Sequence, residues 1–255
     1  METQAQALRR RFEKMACPVF VFEGVCSTND LAKEKLLEGA PHGAAVVATS
    51  QTAGRGRLDR AFSSGEGGLY LSFIYNKPLP RQVATLPFSA ALACAKALER
   101  VCDVHVGLKW VNDLFIGEKK VGGILVEGVI CPQTGKILGA VIGVGINVEN
   151  TLPETLLPIA TSLKRECPAP PALVQVVEQV LLALRETFKD VPDLPIGAYR
   201  ERMLFVGKEV QAHDGKESFF ATVLGIDENG ALLVRKKDGT TAALTAGEVT
   251  LHKEI

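Results

Sequence analysis

Apolar and polar positions along this chain repeat with two different periods, and the switches between them mark out its elements. Residues 3–15 read as a short polar helix, and residues 18–23 (PVFVFE) as a strand. Ser27 or Thr28 then caps a helix that runs to Glu38, its leucines separated by lysines and glutamates. Residues 43–51 (GAAVVATSQ) form a continuous apolar strand that opens into a loop, residues 52–68, containing five glycines. A strand at 69–75 (LYLSFIY) and an alanine-rich helix at 88–101 follow. Four strand signals come next, at 106–110, 113–116, 120–129 and 136–148, with a tight hairpin at Gly117-Glu118-Lys119. Residues 170–189 carry Val, Leu and Phe at helical spacing, and a further short helix falls within 192–203.

From about Phe205 the texture changes. Short strands at 206–213, 217–227, 231–236 and 240–244 are joined by turns at Asp214-Gly215, Glu228-Asn229-Gly230 and Lys237-Asp238-Gly239. Such spacing predicts a small barrel, so the expected division is residues 1–204 and residues 205–255. At 255 residues the chain is long enough to bury a substantial core.

Composition narrows the function classes. Lysine plus arginine equals aspartate plus glutamate at 29 each, so no basic excess points to a nucleic-acid surface. Arg9-Arg10-Arg11 lies on a polar helix, where a solvated face accounts for it. The six cysteines form no Cys-x-x-Cys pair, and a chain of this length needs no disulfide staple. No basic-then-apolar leader opens the sequence and no apolar run nears the ~18–20 residues that span a bilayer. A reducing, cytoplasmic setting is the expectation.

Three segments carry chemistry. In residues 51–60 (QTAGRGRLDR), three arginines sit in a loop whose glycines let a ligand approach the backbone N–H groups, while the guanidinium forks suit carboxylate and phosphate oxygens. Walker spacing is absent, and a solvated surface loop is the plain alternative. In residues 109–113 (KWVND) the only tryptophan stands beside an Asn-Asp pair, and Lys120 enters an increasingly apolar strand, either snorkelling to water or aimed at an anion. Residues 143–148 (GVGINV) put two glycines inside a strand, where something must come close.

Taken in order, Ser27-Thr-Asn-Asp30, residues 51–57, 109–113, 120–127 and 143–147 resemble the biotin protein ligase family from end to end of its catalytic domain. The last fifty residues are similar to that family's SH3-like barrel. The resemblance implies an α+β fold, with a mixed β-sheet backed by helices as in class II synthetases. It implies activation of biotin by ATP and Mg²⁺ to biotinyl-5′-AMP, transfer to a lysine of a biotin carboxyl carrier domain, and no tightly bound prosthetic group. About twenty residues precede the first core strand, too few for the DNA-binding domain of repressor-type ligases, so the stand-alone type and no DNA partner are expected. Relatives occur as monomers and as homodimers paired through the sheet edge.

By the same resemblance Ser27, Thr28 and Gln51 hydrogen-bond the ureido ring, with Asn29 in support. The backbone at Gly54, Arg55 and Gly56 wraps the ligand, and Arg55 and Arg57 face its carboxylate and the ATP phosphates. Lys120 binds carboxylate and α-phosphate oxygens. Gly143 and Gly145 let biotin lie against the strand, and Asn147 reads adenine. Lys109, Trp110 and Asn112 fall on the nucleotide side, and Asp113 joins Lys120 and Arg57 as catalytic. No metal ligand is assigned. Two positions depart from the family pattern: Val111 replaces a common proline, and Asp59 precedes Arg60 where glycine is frequent. A lipoate or octanoate ligase of the same fold and a non-catalytic biotin sensor are the competing readings.

Overall fold

The computed structural model describes residues 2–82, 84–214, 217–245 and 248–251. Among these, helix α1 (Gln4–Phe12) precedes strand β1 (Val19–Phe22), α2 (Thr28–Leu37), β2 (Ala45–Ala48), β3 (Leu69–Tyr75) and α3 (Thr85–Val101). There follow β4 (Gly107–Lys109), β5 (Asp113–Ile116), β6 (Lys119–Ile130), β7 (Ile137–Ile146), α4 (Leu163–Glu166), α5 (Leu173–Thr187) and α6 (Ile196–Arg202). A second run holds β8 (Glu209–His213), β9 (Ser218–Ile226), β10 (Leu232–Lys236), β11 (Thr241–Leu244) and β12 (Glu248–Leu251).

The first seven strands form one mixed sheet in the order β1-β2-β3-β7-β6-β5-β4, with β1 and β2 parallel and every other pair antiparallel. The α+β expectation therefore holds. β3 lies between β2 and β7 and is buried along its whole length, which its continuous apolar sequence anticipates. Its side chains alternate faces: Leu69, Leu71, Phe73 and Tyr75 enter the main core beneath α3 and α5. Tyr70, Ser72 and Ile74 point the other way, Ser72 and Ile74 toward α2 and Tyr70 toward the loop at Gly65 and Phe62.

Residues directly opposite in a ladder share a face, so register draws rows across that second side. One row runs Asp113, Gly123, Gly145, Tyr70; the next runs Leu125, Gly143, Ser72, Val46; a third begins Glu127, Val141. Three of these positions are glycines. They leave a bare floor in the middle of the sheet, and β6 and β7 carry it because their sequences put glycine where a pleat should carry a side chain.

The C-terminal strands form an antiparallel sheet, β11-β10-β9-β8-β12, the small SH3-like unit. It is fastened to the first sheet by specific contacts. The Trp110 indole N–H donates to the Gly230 carbonyl at 3.0 Å, and Arg200 of α6 donates twice to the Ile226 carbonyl. A side chain at Gly230 would strike Ala84, 2.7 Å from the ideal Cβ position. Phe88 of α3 stacks on Tyr199 of α6 at 3.7 Å, closing the core below that junction.

Several expectations need correction. Ser27 does precede α2, but its side chain makes no capping bond. Lys119 already pairs with Ile116, so the hairpin turn is Gly117-Glu118 alone. Helix α4 and strand β12 were not anticipated. The turn at Asp214-Gly215 falls partly outside the described residues, and nothing is described of the Asp59 side chain. Most plainly, Cys102 and Cys167 form a disulfide with Cα atoms 5.7 Å apart, within the spacing such bonds require. Length made a staple unnecessary, but the ends of α3 and α4 converge there. No helix among the described residues is long and apolar enough to cross a membrane.

Trp110→Phe should keep the ring's bulk while leaving the Gly230 carbonyl without its donor in a buried place. A stability loss of about 1–3 kcal/mol is expected from urea unfolding; an unchanged midpoint would mean the indole bond does not hold the two sheets together.

Candidate active site

On the glycine-floored side of the sheet lies a cavity of about 620 Å³. One end is polar and neutral. Ser27, Thr28 and Asn29, from the start of α2, stand over β3 and β7 there, and Gln51 closes the wall. The α2 start is held in place by a cross-brace: Gln51 Oε1 accepts from the Thr28 backbone N–H at 2.8 Å and lies 3.0 Å from its hydroxyl. Gln51 Nε2 donates to Ser64 across the glycine-rich loop at 3.0 Å. Ser72 Oγ reaches both Thr28 Oγ1 and Asn29 Oδ1, at 2.8 and 2.6 Å. Asn29 Nδ2 donates to Glu127 at 2.6 Å.

The other end is charged. Arg55, Arg57, Arg60, Lys109 and Lys120 line the cavity, against the carboxylates of Asp113 and Glu118. A chain of zero net charge thus concentrates positive charge at one place, as a polyanionic ligand requires. Lys120 Nζ pairs with Asp113 Oδ1 at 2.6 Å, across the β5–β6 hairpin. The Lys120 backbone pairs with residues 159–161, whose segment supplies Leu156, Pro158 and Ile159 to an apolar stretch of wall. Arg57 Nη1 lies 3.4 Å from Asn112 Oδ1, and Asn112 Nδ2 donates to the Ile124 carbonyl.

Every anticipated residue but Gly54 lines the cavity, and several of them also hold protein partners. Arg55 lines the cavity, but its fork grips Asp30 of α2 at 2.8 and 2.5 Å and its Nη2 reaches Glu127 at 3.3 Å. These two carboxylates tie the start of the loop to α2 and β6. Hydrogen bonding from Arg55 holds the Asp30 carboxyl below its usual range, and the arginine's own pKa rises in return. Desolvation opposes ionisation of Glu127, but bonds from Lys33 and Asn29 prevail and hold it low.

Gly143 and Gly145 accommodate protein groups. A Cβ at Gly143 would lie 2.3 Å from Asn29 Oδ1, and one at Gly145 would lie 2.7 Å from the Phe62 ring. Gly54 is not part of the lining; it packs against Ser64 and Phe62. Gly56 does line the cavity. Trp110 is buried and its N–H is taken by Gly230. Asn147 donates to the Thr161 carbonyl and accepts from Asn150, so its amide has protein partners at both ends. Val111 follows a cis Trp110–Val111 peptide. Ser72, Ser64 and Phe62 were not singled out from the sequence, and Asp30, Glu127 and Phe205 were named there without a role at the site. Ser72 had a signal: it is the one polar residue in an otherwise apolar strand.

Comparison with known proteins decides the family. The model of the biotin/lipoate A/B protein ligase family matches residues 21–147, and that of the biotin protein ligase C terminal domain matches residues 205–251. The bifunctional ligase/repressor BirA of Bacillus subtilis is 33% identical over 236 residues, spanning 89% of this chain and 72% of its own length. The chain belongs to the biotin/lipoate A/B protein ligase family. Among solved structures of ligases, one from Aquifex aeolicus in complex with biotin and ATP has a TM-score of 0.79 and 31% identity, over 93% of this chain and 99% of that one. A Leishmania major ligase in complex with biotinyl-5-AMP gives 0.63 and 26%, over 90% and 99%. For a ligase-family member the neutral and cationic ends of one cavity are the features that matter.

Two outcomes check this geometry. Gly143→Ala should push Asn29 off the sheet and destabilise the fold by about 1–3 kcal/mol; wild-type stability would show that the floor can yield. Because Asp30 is depressed in the folded state, its contribution is fully present above the ordinary carboxylate range and is lost as pH falls through the lowered value. The stability gap between wild type and Asp30→Asn should therefore stay constant from about pH 5 to 8 and narrow progressively as pH falls below about 4. A gap independent of pH would disprove the pairing.

Proposed function

We propose that this chain is an ATP-dependent, AMP-forming biotin protein ligase. A biotin carboxylate oxygen attacks the α-phosphorus of ATP and pyrophosphate leaves, giving biotinyl-5′-AMP. The amine of a lysine on a biotin carboxyl carrier domain then attacks the acyl carbon and AMP leaves. The observation that carries the reading is the single cavity that joins the hydroxyl- and amide-lined end at Ser27, Thr28 and Gln51 to Lys120 and Arg57.

Bringing two anions together is opposed by Coulomb repulsion, so the protein's task is to place positive charge where the charges meet. Lys120 and Arg57 supply it in this reading. Lys120 starts against Asp113, which fixes its ammonium before substrate arrives and costs little reorganisation when phosphate replaces the carboxylate. Once Lys120 has turned to phosphate, Asp113 is left beside the reaction centre, placed to take a proton from the incoming lysine, which must be neutral to attack. Ser27, with its hydroxyl on the cavity, and Thr28 and Gln51 read the ureido ring.

Magnesium enters with the nucleotide. Among the described residues no three His, Cys, Asp or Glu side chains converge as a metal cage. Asp113 and Glu118 fit the one or two carboxylates that Mg²⁺ takes alongside phosphate oxygens. The ion would neutralise phosphate charge during the attack. A cytoplasmic enzyme is the setting this reading implies, because ATP and the carboxylase acceptor are found there.

Biotin-dependent ATP–pyrophosphate exchange tests the proposal. The wild-type chain should show it, and Lys120→Ala should lower it by about 10²–10³ with the fold retained, as loss of one preorganised charge donor does. Exchange at the wild-type rate in Lys120→Ala would remove that residue from the mechanism; exchange driven by lipoate and not biotin would overturn the substrate.

A further inference from the structure

Four charged groups meet at the edge of the cavity, Arg55 alone among them lining it: Asp30 and Lys33 on α2, Arg55 on the glycine-rich loop and Glu127 on β6. Two are anions and two are cations, so the cluster adds no net charge to the site. Glu127 is its hub. One carboxylate oxygen lies 2.6 Å from Lys33 Nζ, the other 2.6 Å from Asn29 Nδ2, and Arg55 Nη2 sits 3.3 and 3.4 Å from the pair.

We propose that Glu127 is a positioning residue for biotin recognition, fixing both the polarity of the neutral end of the cavity and the seat of the glycine-rich loop. The inference rests on the biotin-ligase reading above. An ionised carboxylate only accepts hydrogen bonds. Facing Asn29, it compels that amide to present Nδ2 to Glu127 and Oδ1 to Ser72. The Ser72 hydroxyl is thereby held as the donor, shared between Asn29 Oδ1 and Thr28 Oγ1, and Thr28 gives its own hydrogen to Gln51 Oε1. Direction passes from Glu127 through Asn29 and Ser72 to Thr28, whose hydroxyl and backbone N–H face Gln51. A cavity end whose donors and acceptors are set in advance binds a ring bearing both kinds of group without first reorienting its own dipoles. The same carboxylate, with Asp30, holds Arg55 and so the start of the loop that carries Arg57.

The test is the KM for biotin and for ATP in pyrophosphate exchange by full-length Glu127→Gln, together with trypsin cleavage after Arg57 in the ligand-free protein. Glutamine keeps the volume, but it can face Asn29 with either oxygen or nitrogen and carries no charge for Arg55. The biotin KM should rise about tenfold, the worth of one charge-assisted hydrogen bond. The ATP KM should stay within about twofold, and cleavage should accelerate. A merely structural role would lower the melting temperature and leave the ratio of the two KM values unmoved. An unchanged biotin KM, or equal rises in both, overturns the proposal. If Glu127→Gln does not yield folded protein, Lys33→Met removes one cation from the hub on its more open side. The same selective rise, smaller, is expected there, and its absence overturns the proposal as well. Failure of the wild-type chain to exchange with biotin overturns the functional reading itself, whereas normal wild-type exchange with a null effect at Glu127 and Lys33 overturns this inference alone.

Discussion

A β-sheet is normally carpeted by the side chains of alternate residues, and a ligand or loop can reach its backbone only where that carpet is missing. Here it is missing at Gly123, Gly143 and Gly145, neighbours across β6 and β7 on one face. The remainder of the site depends on that clearing. Asn29 descends onto Gly143, Phe62 of the loop lies over Gly145, and Asp113 stands in register at the end of the Gly123 row. Methyl groups at the first two positions would meet those partners at 2.3 and 2.7 Å, well inside contact distance. The opposite face needs no such clearing and is filled by the core under α3 and α5.

On this floor the chain separates two kinds of positive charge. Arg55 is answered by Asp30 and Glu127 and serves to tie a glycine-rich segment to α2 and β6. Lys120 and Arg57 point into the cavity, Lys120 against a carboxylate that belongs to the reaction centre in our reading. Motif spacing treats the arginines of one loop alike. The structure sets Arg55 against Asp30 and Glu127 and Arg57 beside Asn112, and in our reading that difference separates anchoring from catalysis.

Much of the fold was legible in sequence because its strands are apolar and punctuated by glycine-containing turns. Every strand of the first sheet lies where its pattern predicted, and the change of texture near Phe205 coincides with the start of the C-terminal family match. Helix α4, at four residues, is too short to show periodicity. The Cys102–Cys167 bond joins residues 65 apart, and nothing local reports that their helix ends converge. At the site, the segments were found but the pairings were not. Arg55 with Asp30, Trp110 with Gly230, and Asn147 with Thr161 and Asn150 are tertiary contacts, the first two across 25 and 120 residues. Each gives a residue that lines the cavity an internal partner as well. A polar residue alone in an apolar strand, Ser72, was the clearest local signal passed over.

The central claim is that one cavity activates biotin and delivers it to a protein lysine. It is tested most directly by incubating the purified chain with Mg²⁺-ATP, an apo biotin carboxyl carrier domain and either biotin or lipoate, then reading the intact mass of the carrier. A mass gain equal to one biotinyl group, with biotin and not with lipoate, is the predicted result. A gain only with lipoate, or none with either acid, would contradict the account.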